Sequence, residues 1–250
     1  MKSIIICEGY TDCILLQYFL RKAYGWQDGG RDKPLENRFK PMRVLKKTKD
    51  TVKIGGCGGC TEIVPKLSFI LDMNHISAEN EPEFDRIVIL TDRDEWSTEQ
   101  KLIHAITNVL SENHVSMDRI ENNQWCTGTY YNGRGKELQV KLLLLVIPFT
   151  GTGALETFLL NSIAADDPYD TAIIHECNLF IDRVDPQKRY LHQRRHVTKA
   201  KFNVYFSVRA AEEQFVERQN VLMSVKWEQY HEIQKDFKKL SELSEGTEEI

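Results

Sequence analysis

The sequence predicts an α/β protein: a parallel sheet flanked by helices, with a β-hairpin insert and a helical C-terminal extension. Three stretches lead to that class. "SIIICEGYTDCILLQYFL" (residues 3–20) passes from an apolar run into apolar residues at helical spacing. "DRIVILTDRDE" (85–95) is a second apolar run that stops at acids, and the chain after Asp166 reads as helix. Short all-apolar strands alternating with helices are what a sheet covered on both faces requires.

The first strand is Ile4-Ile5-Ile6-Cys7, and the first helix runs from about Asp12 to Ala23. Residues 25–41, punctuated by Gly25, Gly29, Gly30, Pro34 and Pro41, read as an irregular basic loop. A second strand over about Thr51–Ile54 ends at "GGCGGC", and a helix follows from Glu62 to Leu71. The third strand, Ile87–Leu90, ends at Thr91-Asp92. The next helix takes Ser97 as its N-cap and carries Leu102, Ile103, Ile106, Val109 and Leu110. Asn132-Gly133 is a strong two-residue hairpin signal, so about 121–141 form a hairpin insert. Its second arm continues into a central fourth strand, Leu142 to Pro148. "GTGALETFLL" (151–160) restarts helix. Further helices are expected over 170–182, about 197–206, 209–220 and 227–241, with the acidic end "SELSEGTEEI" frayed. The expected division is 1–165 for the sheet domain and 166–250 for the helical extension.

The 250 residues are 41% hydrophobic, ample for a sizeable core. A net charge of −4 excludes a general attraction to nucleic acid and leaves local clusters to supply one. Residues 31–53 hold nine Lys/Arg against three acids, and 183–201 hold seven against Asp185 alone. Solvated loops and helix faces are the plain alternative for both. The longest later apolar run, Leu142–Phe149, is far short of a membrane span, and no N-terminal stretch reads as a secretory signal. Six scattered cysteines lack the density of a disulfide scaffold, so a reducing cytoplasm is the expected compartment.

Parallel strands point their carboxyl ends to one edge of the sheet, where ligands bind. Glu8 ends the first strand, Asp92 and Asp94 follow the third, and Glu156 lies in the first turns after the fourth. Asp12 stands near Glu8, and Glu95 follows Asp94. Carboxylates gathered there raise one another's pKa, and a divalent cation relieves the repulsion. Mg²⁺ takes one or two carboxylates while keeping water and phosphate oxygens. Residues two apart in an extended segment point the same way, so Asp92 and Asp94 can face one ion. An ordinary first-turn acid is the plain alternative for Glu8 and for Glu156.

Glu8-Gly9 with Asp12 ("EG-x-x-D"), the glycine-rich turn "GGCGG" (55–59) and "TDRD" (91–94) together resemble the Toprim family. That family is the catalytic domain of topoisomerases, bacterial-type primases, OLD-family nucleases and small RNA-maturation nucleases. The resemblance covers about residues 1–160 and implies a Toprim-like Rossmannoid sheet. It also implies Mg²⁺ (or Mn²⁺) on Asp92 and Asp94, Glu8 as general acid/base or further ligand, and phosphodiester cleavage or transfer. Glu156 and Asp12 are further candidate ligands. Gly9, Gly55 and Gly56 are candidates for close backbone approach to a phosphate. Lys46-Lys47 and Arg194-Arg195 are candidates to hold flanking phosphates.

The chain departs from the larger relatives. It has little room for a topoisomerase's tyrosine-bearing domain, and no G-x-x-x-x-G-K-[ST] occurs, so any ATPase is a separate subunit. Nucleic acid is the expected partner, a homodimer is compatible, and no membrane is expected. A non-catalytic subunit of a partner ATPase and a small-molecule phosphohydrolase are the alternative functions. Cys57-Gly-Gly-Cys60 offers half of a zinc site or a thioredoxin-like redox pair, but two further zinc ligands at matched spacing are lacking, and a tight glycine turn with the cysteines as small fillers is the favoured reading. His192 and His196, four apart in a basic run, fit phosphate contact or exposure better than a metal. Trp227, Tyr230, Ile233 and Phe237 at helical spacing read as core.

Overall fold

A computed structural model describes residues 1–77, 82–211 and 218–244. β1 (Lys2–Cys7) leads into α1 (Tyr10–Tyr24), followed by β2 (Gln27–Gly30), a four-residue α2 (Lys33–Glu36), β3 (Met42–Lys47) and β4 (Asp50–Gly56). Next come α3 (Ile63–Ile76), β5 (Arg86–Asp92), α4 (Thr98–Glu112), β6 (Ser116–Met117), β7 (Trp125–Tyr131) and β8 (Glu137–Ile147). The helices α5 (Leu155–Asp166), α6 (Pro168–Val184), α7 (Arg194–Arg209), α8 (Arg218–Ser224) and α9 (His231–Asp236) follow.

The strands make one eight-stranded mixed sheet in the order β2-β3-β4-β1-β5-β8-β7-β6. β1 pairs in parallel with β4 and β5, and β5 in parallel with β8. Antiparallel strands flank this parallel centre on both sides. The alternation of side chains divides the core in two. Ile5, Cys7, Val88, Leu90, Leu143 and Leu145 face the layer of α1, α5 and the C-terminal helices. Ile4, Ile6, Ile87, Ile89, Leu142 and Leu144 face α3 and α4. All twelve are fully buried. At about 1.5–3 kcal/mol for each large apolar side chain removed from water, this burial drives the fold.

Four expectations are corrected. Residues 25–41 are not one loop: they contain β2 and α2, and β3 precedes the expected second strand as its hairpin partner. β2, Gln27-Asp28-Gly29-Gly30, carries no apolar alternation and is mostly exposed, which hid it. Ser97 occupies the N-cap of α4 but caps nothing; its hydroxyl donates to Glu95 at 3.3 Å. The β7–β8 loop is Asn132–Lys136 rather than a two-residue turn, with Asn132 Oδ1 accepting from the N–H of Arg134 and of Lys136 at 3.0 Å each. The hairpin's tip is also tied to the body, since Gly133 N–H donates to His75 O at 2.9 Å.

The C-terminal segment is helical and packs against the sheet's α1 side. The expected helices at 170–182 and 197–206 are the cores of α6 and α7, while half of the one expected over 209–220 lies outside the described residues, as do residues 245–250. The helix expected over 227–241 is broken into a 3₁₀ turn (Trp227–Gln229), α9 and a second 3₁₀ stretch (Lys238–Leu243). These pieces pack into the sheet's own core: the Phe237 ring meets Phe19 at 5.3 Å and Phe158 at 5.4 Å. Trp125 Nε1–H donates to Lys239 O at 3.1 Å, tying the tail to β7. Among the described residues no helix is long and apolar enough to cross a membrane.

Phe237→Ala is expected to cost about 3–5 kcal/mol of global stability, the range for emptying a buried aromatic site. Chemical denaturation checks this. Unchanged global stability, with the tail melting in a separate early step, would contradict the shared core.

Candidate functional site

Along the four parallel strands the chain order is second, first, third, fourth (β4, β1, β5, β8), so the direction of winding reverses between β1 and β5. α1 packs on one face and α3 on the other, which leaves a crevice at the carboxyl ends of β1 and β5. Glu8 and Asp92 stand at those two ends.

Backbone bonds set Glu8 in place. Its N–H donates to Leu90 O at 3.0 Å, and its carbonyl accepts from the N–H of Gly58 at 3.1 Å and of Gly59 at 3.0 Å. Gly58 and Gly59 have φ of 91° and 138°, which L side chains rarely adopt, so the second half of "GGCGG" is a latch on Glu8. The Glu8 side chain crosses to β5, where Oε2 accepts from Thr91 Oγ1 at 2.6 Å and from Asp92 N–H at 3.3 Å. Asp12, in the first turn of α1, accepts the Gly9 N–H at 2.7 Å, closing the helix N-terminus. Asp92 Oδ1 accepts from Leu155 N–H at 2.9 Å, at the start of α5, and Glu156 beside it is 5% exposed.

These groups share one cavity of about 300 Å³. Glu8, Asp12, Asp92, Asp94 and Glu156 line it from one side, and Arg194, Arg195, Thr198 and Lys199 of α7 from the other. Asp94 and Arg194 meet across it at 3.6 Å. Burial, followed by the neighbouring charges of Glu8 and Glu156, pushes the Asp12 carboxyl up to about 7, against the pull of the Gly9 N–H and Lys199. Asp92 is likewise raised, first by burial and then by Asp12, Glu8 and Glu156.

Glu8, Asp12 and Asp92 are each oriented through one carboxylate oxygen, and no protein hydrogen bond to the other oxygen is found among the described residues. Among the described residues no group of three or more His, Cys, Asp or Glu side chains is arranged to hold a metal ion. Mg²⁺ differs from ions that demand a full set of protein ligands in needing only one or two carboxylates and keeping its waters.

Other sequence candidates fall elsewhere. β3 runs antiparallel to β4, so Lys46 and Lys47 lie opposite Thr51 and Asp50, at the far end of the sheet from the cleft. Gly55 and Gly56 are buried, and their missing side chains make room for protein. A Cβ would come within 2.6 Å of the Phe39 ring at Gly55 and within 2.7 Å of Lys40 O at Gly56. Gly9 lines the cavity in extended backbone that any residue adopts. Glu95 is drawn outward to Lys101 at 3.4 Å. Cys57 donates to Gly59 O at 3.3 Å with burial pushing its thiol up to about 11, and Cys60 is exposed; all six cysteines are free.

Three functional positions escaped the sequence reading. Arg93, 8% exposed, donates to Pro148 O at 2.9 Å and to Glu99 at 2.6 Å, fixing the segment between Asp92 and Asp94 onto β8 and α4. Thr198 and Lys199 join the site because they stand one helical turn after Arg194 and Arg195. That i, i+4 spacing was the available signal.

The structure therefore defines an α/β protein with an acid-lined cleft at its topological switch point, faced by a basic helix. The chain belongs to the family described as "Protein of unknown function (DUF3226)", whose model matches residues 2–242. No curated protein matches it. Among solved structures, it is similar to hypothetical protein PH0156 from Pyrococcus horikoshii OT3 at 18% identity, with a TM-score of 0.48 over 84% of this chain and 91% of that one. Fosfomycin resistance protein FosX from Mesorhizobium loti aligns at 9% identity and a TM-score of 0.17, over 64% of this chain and 95% of that one. Lactoylglutathione lyase from Agrobacterium tumefaciens aligns at 8% and 0.17, over 57% and 91%. With TM-scores below 0.5, these likenesses carry no weight for fold or chemistry.

The raised Asp12 pKa gives a stability prediction. The folded state holds this proton more tightly than the unfolded chain, so the group's contribution is full below about pH 4 and is lost as pH rises towards and past 7. Asp12→Asn, neutral throughout, should melt at a higher temperature than the wild type at pH 8 in EDTA, with the gap closing at pH 4. Equal gaps at both values would show that the charge is not the cause.

Proposed function

We propose that this protein is a Toprim-type, Mg²⁺-dependent enzyme that hydrolyses phosphodiester bonds in nucleic acid. The observation that carries the reading is the single cavity in which Glu8, Asp92 and Asp94 face Arg194 and Arg195. An acid set suited to a cation and a basic set suited to phosphate, across about 300 Å³, are the two requirements of metal-assisted phosphoryl chemistry. Asp92 and Asp94 are the residues to hold the ion, with Glu156 and Asp12 as further oxygens. Bound Mg²⁺, or Mn²⁺ in its place, supplies the positive charge that offsets both the carboxylates and the phosphodiester. Glu8, held by Thr91 and the Asp92 N–H, is placed to take a proton from an attacking water or to join the ligands. Arg194, Arg195 and Lys199 orient the anionic backbone of the substrate. The compartment of this reading is the cytoplasm, and any ATPase working with the enzyme is another polypeptide.

Labelled single- and double-stranded DNA and RNA, incubated with Mg²⁺ or Mn²⁺, test the reading. Glu8→Gln and Asp92→Asn are each expected to slow cleavage by about 10²-fold or more, the scale of a lost acid–base or charge-stabilising group. Cleavage at the wild-type rate in both variants, or none of any substrate with either metal, would sink it. The Arg194→Ala/Arg195→Ala double variant should weaken substrate binding and flatten its dependence on salt.

A further inference from the structure

A second cavity opens on the far side of Arg194. It measures about 290 Å³ and lies between α5, α6 and α7, with Leu160 and Val197 as apolar walls and Asn161 and Asn178 among its polar lining. Arg194 and Thr198 line both this cavity and the carboxylate cleft, so the two are neighbours sharing a wall. Asn178 Oδ1 is buried with no hydrogen-bond partner, an arrangement that in folded proteins asks for a ligand or a water. Lys201, at the edge, is held by Asp182 at 2.9 Å, which leaves the amides to set the chemistry.

An amide side chain offers a donor and an acceptor in one plane, the pairing that reads the edge of a nucleobase. Apolar walls beside such groups suit a flat heterocycle, and the volume lies at the lower end of small-ligand sites, about 300–1,000 Å³. A nucleotide joins base to phosphate through one sugar, and here a shared wall of Arg194 and Thr198 separates the amide cavity from the cleft. We propose that this second cavity is a base pocket, holding the nucleobase of the nucleotide whose phosphate lies at Arg194. The inference rests on the nuclease reading of the neighbouring cleft and sharpens its substrate. A base turned into this pocket is unstacked and unpaired, so the preferred substrate is single-stranded or has a frayed end.

Calorimetric titration in Mg²⁺ with the four common ribonucleoside 5′-monophosphates, ribose 5-phosphate and inorganic phosphate tests this directly. At least one nucleotide should bind about tenfold more tightly than ribose 5-phosphate, the scale of one good amide–base pairing. The Asn161→Leu/Asn178→Leu variant should lose that gain while binding ribose 5-phosphate as before. The near-isosteric Asn178→Asp variant should lose it too, and circular dichroism checks that both fold. Equal affinity for nucleotides and ribose 5-phosphate, or a gain that survives in both variants, overturns the base pocket. Should the sugar phosphate bind in an Arg194-dependent way with no help from any base, the pocket falls and the phosphate cleft stands. Should none of the six compounds bind, both fall.

Discussion

Like charges brought together out of water are the constraint that organises this molecule. Two unit charges about 4 Å apart repel by about 1 kcal/mol in bulk water and by about 4 kcal/mol at the effective dielectric of a protein surface. Glu8, Asp12, Asp92 and Glu156 crowd one crevice, and each of the two aspartates is pushed towards its protonated form by burial and by its acidic neighbours. A fold adopts such a cluster only when something else holds it. Here the restraint is backbone: the N–H groups of Gly9, Asp92 and Leu155 each take a carboxylate oxygen, and the Gly58-Gly59 turn grips the Glu8 carbonyl. Glu8, Asp12 and Asp92 are thus held in place by neutral donors rather than by cations.

The counter-charge comes from a distant part of the chain. Arg194, Arg195 and Lys199 belong to α7, far in sequence from the sheet that bears the acids, yet Phe202, Tyr205 and Phe206 of that helix join the core on the α1 side of the sheet, and its first turns line the cleft. Arg93 plays the complementary part from within the sheet. Its buried guanidinium links the loop after β5 to β8 and α4, so Asp92 and Asp94 flank a fixed point. Packing on the α1 side of the sheet and charge placement at its edge are therefore one problem.

Much of this was legible in the sequence, for physical reasons. All-apolar runs such as Ile4–Cys7 and Ile87–Leu90 can only be buried strands, and acids directly after them fall on one edge by geometry. Arg194 and Arg195 stood out as the densest charge in their region. What stayed hidden were features whose signals are not periodic. β2 is a glycine-bearing polar edge strand paired with β3, and the broken tail of 227–243 kept helical spacing while turning twice. Lys46 and Lys47 failed because charge density carries no direction: antiparallel β3 delivers them to the opposite end of the sheet. Gly55 and Gly56 failed because a glycine that admits a phosphate and one that admits a phenyl ring look alike in one dimension.

The separation of the acidic and basic halves along the chain bears on how the protein is made. Every acid of the cleft, Glu8 to Glu156, precedes α7 in the chain and is therefore synthesised before it. A nascent or prematurely terminated polypeptide would thus carry the anionic half without its cationic face. A chain that stops before that helix presents its acids with no basic group of α7 facing them, and its cleft is left with unscreened negative charge.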